Sequence, residues 1–396
     1  MGRRDARAED PLEEVLAELG SEASVRQRES AAFGRLAGAA TRAVVHGCGP
    51  LGRIILAGAK RAGLDVVACA DNNTALWGQT LDGIPVMSPA DAVARYKDDA
   101  FFVVGVYNSS APRKQLRELG CERVVPYAAF FWQFAPSMSN APGLELPHRI
   151  LASVDAMRTG YRCLDDEKSR REFAAQIAWR CSLDYDRLPA ADPASDIYYP
   201  PDLFRLNAEE VLVDCGAFDG DSIRFFLDKT SGAFRHIYAC EPDASNRRAL
   251  DGYLSSLPGA DRARVSILPY AIGDRDGLVY FDSSGTAGSH MTTERSTESI
   301  DCRRLDTLLK DANPTFIKMD IEGAEPDAIG GATATIRRAK PLLAVCAYHK
   351  CEHLWTLPAL LKAALPEYRV SLRRYAEECW EMVYYAVPPE RVVRGR

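Results

Sequence analysis

The chain has no run of apolar residues approaching the ~18 that a membrane-spanning helix needs, and none of its cysteines forms a C-x-x-C pair. The eleven cysteines are odd in number, and Cys69, Cys215, Cys240 and Cys346 sit inside apolar, strand-like runs. That pattern argues against a disulfide framework and for small, reduced core residues. Basic residues form no stripe. The 49 Lys and Arg are scattered among 55 Asp and Glu, for a formal net charge of −6, so the electrostatic footprint of a nucleic-acid binder is missing. The opening MGRRDARAEDPLEEVLAELG has an early basic pair but no apolar core of the signal-peptide kind. The expectations are a cytoplasmic protein with no nucleic-acid partner, no membrane span and a small or neutral substrate. Internal repeats and extended low-complexity tracts are also lacking.

What is present suffices for two ordinary domains: 396 residues, 47% of them hydrophobic. Residues 1–40 read as a helical segment, with Leu12, Val15, Leu16 and Leu19 at helical spacing, packing on the first domain or on a partner chain, as in a homodimer. Residues 41–135 alternate the strands RAVVH, DVVACAD, AFFVVGV and RVVPY with helices, a Rossmann-like parallel α/β domain of about half the usual size. Residues 136–200 read as a linker and helical cap. Residues 201–396 hold a longer series, VLVDC, HIYACE, RVSILPYAI, TFIKMD, PLLAVCA, YRVSLRRY and EMVYYAVP. Apolar runs without alternation imply a mostly parallel sheet covered on both faces. The last two strands, joined by AEECW, are too close for a crossover helix and predict an antiparallel edge hairpin.

Two glycine turns compete for the cofactor. HGCGPLGR fits the dinucleotide fingerprint through Gly47, Gly49 and Gly52, and Asp71 ends the next strand where a ribose-binding acid would stand. VLVDCGAFDG places Asp214 at a strand end, Gly216 where backbone passes close to a ligand, and Gly220 at the entry to a helix. Glu241 closes the following strand, where a carboxylate accepts both hydroxyls of a ribose. In FIKMDIEGAEPDAI, the alternating Lys318, Asp320 and Glu322 face one side while the strand lasts, at the edge where open α/β sheets bind ligands. For Lys318 an ion pair with Asp320 or Glu325 that fixes the loop weighs equally with ligand contact. His349, after the next strand, is expected in the same crevice, either as a general base or as a group bonded to its own loop. HKCEH fits H-x-x-E-H, but a strand immediately before His349 argues against two histidines on one helix face, and no metal is assigned. The Ser/Thr/Gly-rich stretch 281–299, with His290, reads as a solvated hairpin connection or a lid over the donor.

The block K-x-D-x-E-G-A-E, with VDCGAFDGDS before it, EP after the second strand and AIGD after the third, resembles the FkbM family of S-adenosylmethionine-dependent methyltransferases. LDDEKSRREF, YYPPDLF, LDTLL and AYHKCEHLW add to the resemblance, which covers roughly residues 150–390. It implies a class I methyltransferase fold, a seven-stranded mostly parallel sheet with an antiparallel edge hairpin, behind the smaller Rossmann-like domain. It further implies S-adenosyl-L-methionine as cofactor, bound by Asp214, Gly216, Ala217, Phe218, Asp219, Gly220, Glu241, Pro242, Ala271, Ile272 and Asp320. The implied reaction is O-methylation of a small-molecule or sugar-linked acceptor, with His349 and Asp320 as catalytic residues. Lys318, Glu322, His290, Gly47, Gly49, Gly52 and Asp71 are candidates for holding the acceptor or a second nucleotide. The first domain resembles the small Rossmann-like domains attached to sugar-modifying enzymes, through DNNTALWGQTLDGIPVMSPAD. The alternatives are a nicotinamide-dependent nucleotide-sugar oxidoreductase and a non-catalytic nucleotide-binding scaffold.

Overall fold

The computed structural model describes residues 10–138, 142–282, 290–292 and 298–393. Contacts group the chain into two compact units that do not follow its linear order. One comprises Met1–Arg158, Arg170–Ala191 and Ala376–Trp380; the other comprises Thr159–Ser169, Asp192–Tyr375 and Glu381–Arg396. Among the described residues no helix is long and apolar enough to cross a membrane.

The first unit begins with two helices rather than one. Pro11–Leu19 ends at Gly20, which adopts φ 71°, and Glu22–Ala37 starts from Ser21, whose side chain accepts the Ser24 N–H. Leu12, Val15 and Leu19 are buried, as the spacing predicts, and Phe33 packs edge-on against Phe101 and Phe134. The sheet of this unit has strands β1 (Arg42–His46), β2 (Asp65–Ala70), β3 (Thr80–Leu81), β4 (Ile84–Met87), β5 (Ala100–Val104) and β6 (Val124–Pro126) in the order β3-β4-β2-β1-β5-β6. All neighbours are parallel except β3 and β4. Those two short strands are absent from the four-strand reading of the sequence. Their turn is the Asp82-Gly83 dipeptide, both residues at positive φ, a geometry that Asp-Gly favours and that a run of only a few apolar residues conceals. The chain departs β1 toward β2 and returns to β5 on its other side, so a topological switch point lies at the carboxyl ends of β1 and β5.

The second unit carries β7 (Val211–Cys215), β8 (His236–Cys240), β9 (Val265–Leu268), β10 (Ala271–Ile272), β11 (Gly277–Asp282), β12 (His290–Thr292), β13 (Glu298–Arg303), β14 (Phe316–Met319), β15 (Leu342–Cys346), β16 (Arg369–Arg374) and β17 (Met382–Val387). Its main sheet has seven strands in the order β16-β17-β15-β14-β7-β8-β9. Only β17 runs antiparallel to its neighbours, pairing with β15 and β16 in the expected edge hairpin. The run RVSILPYAI does not make one strand. It breaks after Leu268, and β10 leaves for a separate four-stranded sheet, β10-β13-β11-β12. The stretch 281–299 supplies β12 and part of β11 and β13 to that sheet, with His290 opposite Asp282; residues 283–289 and 293–297, on which the lid reading rests, lie outside the described residues. The strands β7, β14 and β15 are buried along nearly their whole length, which is why their sequences lack alternation. Tyr199 and Phe204 pack on Phe316 with ring centroids 5.4 and 5.7 Å apart. All eleven cysteines are free thiols, buried except for Cys163.

Candidate active site

The second glycine turn leaves β7 at the carboxyl edge of the seven-stranded sheet. Gly216 has φ 83°, and a Cβ there would stand 1.9 Å from the carbonyl oxygen of Asp320. The neighbouring strand's exit therefore by itself requires glycine here. Gly220, at φ 91°, packs against the Tyr253 ring and opens the helix Asp221–Lys229. Between them Ala217 is buried and donates its N–H to Cys240, and Asp219 pairs with Arg224 at 3.0 Å.

Asp214 and Lys318 form the buried foundation of this turn. Lys318, 2% exposed, pairs with Asp214 Oδ1 at 3.0 Å and donates to the Gly216 carbonyl oxygen at 2.7 Å. Ser222 Oγ donates to the other oxygen of Asp214 at 2.5 Å. Burial opposes a charge on Lys318, but Asp214 and Asp320 outweigh it and hold the ammonium pKa above its ordinary value. The alternation of Lys318, Asp320 and Glu322 thus does not bring the three to one side. β14 ends at Met319; Lys318 lies beneath the turn, and its partner is Asp214 rather than Asp320 or Glu325. With Asp214 fully buried and held by Lys318 and Ser222, this pair positions the turn.

Glu241 stands where the sequence places it, at the end of β8, and is 4% exposed. Its Oε2 accepts the Phe218 N–H at 2.8 Å and its Oε1 the Asp243 N–H at 2.9 Å. Burial raises its pKa, and those two backbone donors hold the rise in check. The Asn246 side-chain amide also donates to Oε1, at 3.4 Å; of the about four lone-pair sites of a carboxylate one remains, on Oε2, for a ribose hydroxyl. The donor set therefore fits the nucleoside part of S-adenosylmethionine. Pro242 follows Glu241 at the half-buried rim, while Ala271 and Ile272 are buried in β10.

Asp320 emerges from β14 into a turn that holds Glu322 at φ 56° and Gly323 at φ 98°. Two phenols converge on it: Tyr198 donates to Oδ2 at 2.8 Å and Tyr348 to Oδ1 at 3.0 Å. His349 completes the cluster. Its Nδ1 meets Glu325 Oε1 at 2.8 Å, and its Nε2 lies 3.2 Å from Asp320 and 3.7 Å from Glu322. Burial works against a charged imidazole, yet Glu325 and Asp320 outweigh it and hold the His349 pKa well above the ordinary value. Asp320 is pushed the opposite way, below the usual carboxylate range, as His349 and Lys318 overcome its burial. His349 is thus expected to be protonated at neutral pH, which corrects its reading as a base of near-neutral pKa. An imidazolium between three carboxylates has no free site for another proton. His353, the first residue of the helix His353–Ala364, faces Glu325 from the other side at 3.4 Å, so the two histidines of HKCEH flank one carboxylate instead of sharing a helix face. Asp320, Glu325 and His349 offer atoms within 4.8 Å of one another, a spacing that could hold a metal ion. Glu325 also accepts the N–H groups of Ile321 and Gly323, which fixes the turn.

Tyr198 and Tyr348 are members of the site that sequence reasoning did not single out, and Glu325 entered it only as a possible partner of Lys318. All three lie within stretches that carry the family resemblance, but Tyr198 reaches Asp320 across 122 residues of chain, a pairing no local pattern announces. The side chain of His290 is outside the described residues.

In the first unit, Gly47 (φ 110°) and Gly52 are packing glycines: a Cβ would meet the Gly105 carbonyl at 2.7 Å in one case and the Gly47 carbonyl at 1.8 Å in the other. Gly49 differs. A Cβ there meets nothing within 4 Å, and the residue caps the helix Pro50–Arg61 without a side-chain hydrogen bond. Asp71 turns inward, accepting the Cys48 N–H at 2.7 Å and the Asn73 N–H at 2.8 Å, so it braces its own glycine turn much as Glu241 braces the other.

Residues 214–370 match the family described as Methyltransferase FkbM domain. The match begins at Asp214, on the second glycine turn, and leaves the first outside. Comparison with curated proteins gives no match. Among solved structures, an FkbM methyltransferase from Methylobacillus flagellatus KT superposes with a TM-score of 0.72 at 23% identity, over 95% of this chain and 98% of that one. A precorrin-6y C5,15-methyltransferase from Geobacter metallireducens GS-15 covers 47% of this chain and 83% of its own at 14% identity, with a TM-score of 0.29 that is too low to carry any argument. Residues 214–370 are therefore similar to a methyltransferase FkbM domain, within a fold shared with an FkbM methyltransferase of known structure.

Proposed function

We propose that the protein transfers a methyl group from S-adenosylmethionine to an oxygen of a small-molecule or sugar-linked acceptor. The observation that carries this reading is the placement of Glu241 and Asp320 at the carboxyl ends of two strands flanking one glycine turn, with acceptor capacity left on Glu241. When bound, the cofactor supplies an electrophilic methyl carbon on a sulfonium. Glu241 would take a ribose hydroxyl on Oε2, and the backbone of Gly216–Gly220 would border the nucleoside. Asp320, kept ionised by His349 and Lys318, is suited to the cofactor's cationic amine. Its two tyrosines hold the carboxylate in one orientation, so alignment of donor and acceptor is set before the reaction. Such alignment removes several kcal/mol from a bimolecular barrier, up to about 7–11 in favourable cases.

The test is transfer of tritium from methyl-labelled S-adenosylmethionine into a small-molecule extract of the source cells, followed by hydrolysis that distinguishes ethers from esters and amines. Label recovered in an ether supports the reading. Label recovered only on nitrogen or carbon, or no transfer by a protein that binds S-adenosylhomocysteine, overturns it.

A further inference from the structure

We propose that Glu381 is the proton acceptor for the hydroxyl that receives the methyl group. The inference rests on the O-methyltransferase reading above and concerns a residue beyond the segment 214–370 that matches the family.

The strand register places it. β14 and β15 are parallel with Met319 opposite Val345, so Asp320 leaves the sheet at the level of Cys346. β17 runs back along β15 with Val383 opposite Cys346, and the Ala347 N–H donates to the Met382 carbonyl at 2.8 Å. The residue before Met382 therefore stands level with Tyr348, at the same carboxyl edge of the sheet as Asp320 and His349. The edge hairpin, antiparallel where the other strands are parallel, delivers a side chain to this rim from a strand's amino end.

The local chemistry sets Glu381 apart from its neighbours. Asp320, Glu325, Lys318 and His349 are all engaged with one another or with tyrosines and backbone, whereas the half-buried Glu381 carboxylate has no hydrogen bond or ion pair among the described residues. Its backbone adopts φ 53°, a conformation disfavoured for a residue other than glycine that collects at functional sites. The groups facing it are Lys318 from β14 and Asp320 at its exit, Asp221 from the helix Asp221–Lys229 after β7, Cys346, Tyr348 and His349 from β15 and its exit, and Tyr198. Burial, and then the charge of Asp320, push the carboxyl up to about 7, against the pull of His349 and Lys318. A proton acceptor works best when its pKa lies near the working pH. His349, already protonated, cannot act, and Asp320 is too weak a base.

In the proposed step the carboxylate of Glu381 takes the proton of the acceptor hydroxyl. The oxygen's electron pair forms the new bond to the methyl carbon, and the carbon–sulfur bond breaks with its pair remaining on sulfur. The products are a methyl ether, a neutral thioether and protonated Glu381, which returns its proton to water.

The experiment compares the full-length wild type with Glu381→Gln and Glu381→Asp. Calorimetry with S-adenosylhomocysteine reports donor binding, infrared difference titration reports the carboxyl, and tritium transfer into the extract is followed against pH. Expected are unchanged S-adenosylhomocysteine affinity in Glu381→Gln, loss of one carboxyl titrating near neutrality, and transfer reduced by about 10²–10⁴-fold, with partial rescue in Glu381→Asp. Equal transfer by Glu381→Gln and wild type, or the same carboxyl titration near neutrality in both, to which Glu378 also contributes, overturns the assignment while leaving the methyltransferase reading intact. Lost donor affinity in Glu381→Gln overturns it in favour of a structural role. Absence of transfer by the wild type itself defeats the methyltransferase reading and the role of Glu381 with it.

Discussion

Gly216 and Asp320 pass so closely that a Cβ on the glycine would stand 1.9 Å from the aspartate's carbonyl oxygen. The exits of β7 and β14 are thus locked together by backbone, and Lys318 ties the same turn from below. Gly216→Ala combines this clash with a positive φ, whose strain alone costs about 1–3 kcal/mol. The variant should unfold at lower temperature and bind S-adenosylhomocysteine more weakly; calorimetry showing native affinity and native stability would refute the lock.

Lys318→Met removes the partner of a fully buried carboxylate. Breaking such a pair from one side costs about 3–5 kcal/mol because the remaining charge is uncompensated. Urea unfolding should therefore show a large loss for Lys318→Met and a smaller one for Lys318→Met combined with Asp214→Asn. Equal losses would mean that the ion pair is not what matters.

The His349 pKa in the folded protein lies well above its free value, because the folded state holds the proton between Glu325 and Asp320. The stabilisation it brings is fully present below about pH 6.5 and is lost as pH rises through the folded value. His349→Gln should cost about 1.5–3 kcal/mol, the range for hydrogen bonds to charged groups, with the gap to wild type largest on the acid side. Unfolding curves whose gap widens toward alkaline pH would contradict a protonated His349.

Glu241 holds the Phe218 and Asp243 N–H groups and the Asn246 side chain besides the proposed ribose hydroxyl. Glu241→Ala should weaken S-adenosylhomocysteine binding by about 1–3 kcal/mol. Since burial raises this carboxyl's pKa, wild-type affinity should fall on acidification as the acceptor becomes protonated. A pH-independent affinity would place the ribose elsewhere.

The first glycine turn allows a contrast within three residues. Gly52→Ala drives a Cβ to 1.8 Å from the Gly47 carbonyl oxygen, whereas Gly49→Ala meets nothing. Thermal melts should show Gly52→Ala destabilised and Gly49→Ala near wild type. Gly49→Val, in the unit that lacks the family match, should keep native affinity for S-adenosylhomocysteine; tight NAD binding by the wild type that Gly49→Val abolishes, with no S-adenosylhomocysteine binding by either, would favour the oxidoreductase instead.

The sequence by itself determined the elements and their class. Uninterrupted apolar runs in β7, β14 and β15 announce buried parallel strands, the short AEECW link forces an antiparallel hairpin, and Glu241 is found by its place at a strand end. These features are local or periodic, so a linear reading reaches them. The short β3 and β4 were missed because two to four residues carry too little periodicity, although Asp82-Gly83 marked their turn. Tertiary structure alone decided what the charged groups do. Lys318 and Asp214 became a buried strut, His349 an imidazole whose pKa Glu325 and Asp320 raise, and Glu381 an unpaired carboxylate at the rim, because ionisation depends on burial and on neighbours brought together from distant parts of the chain.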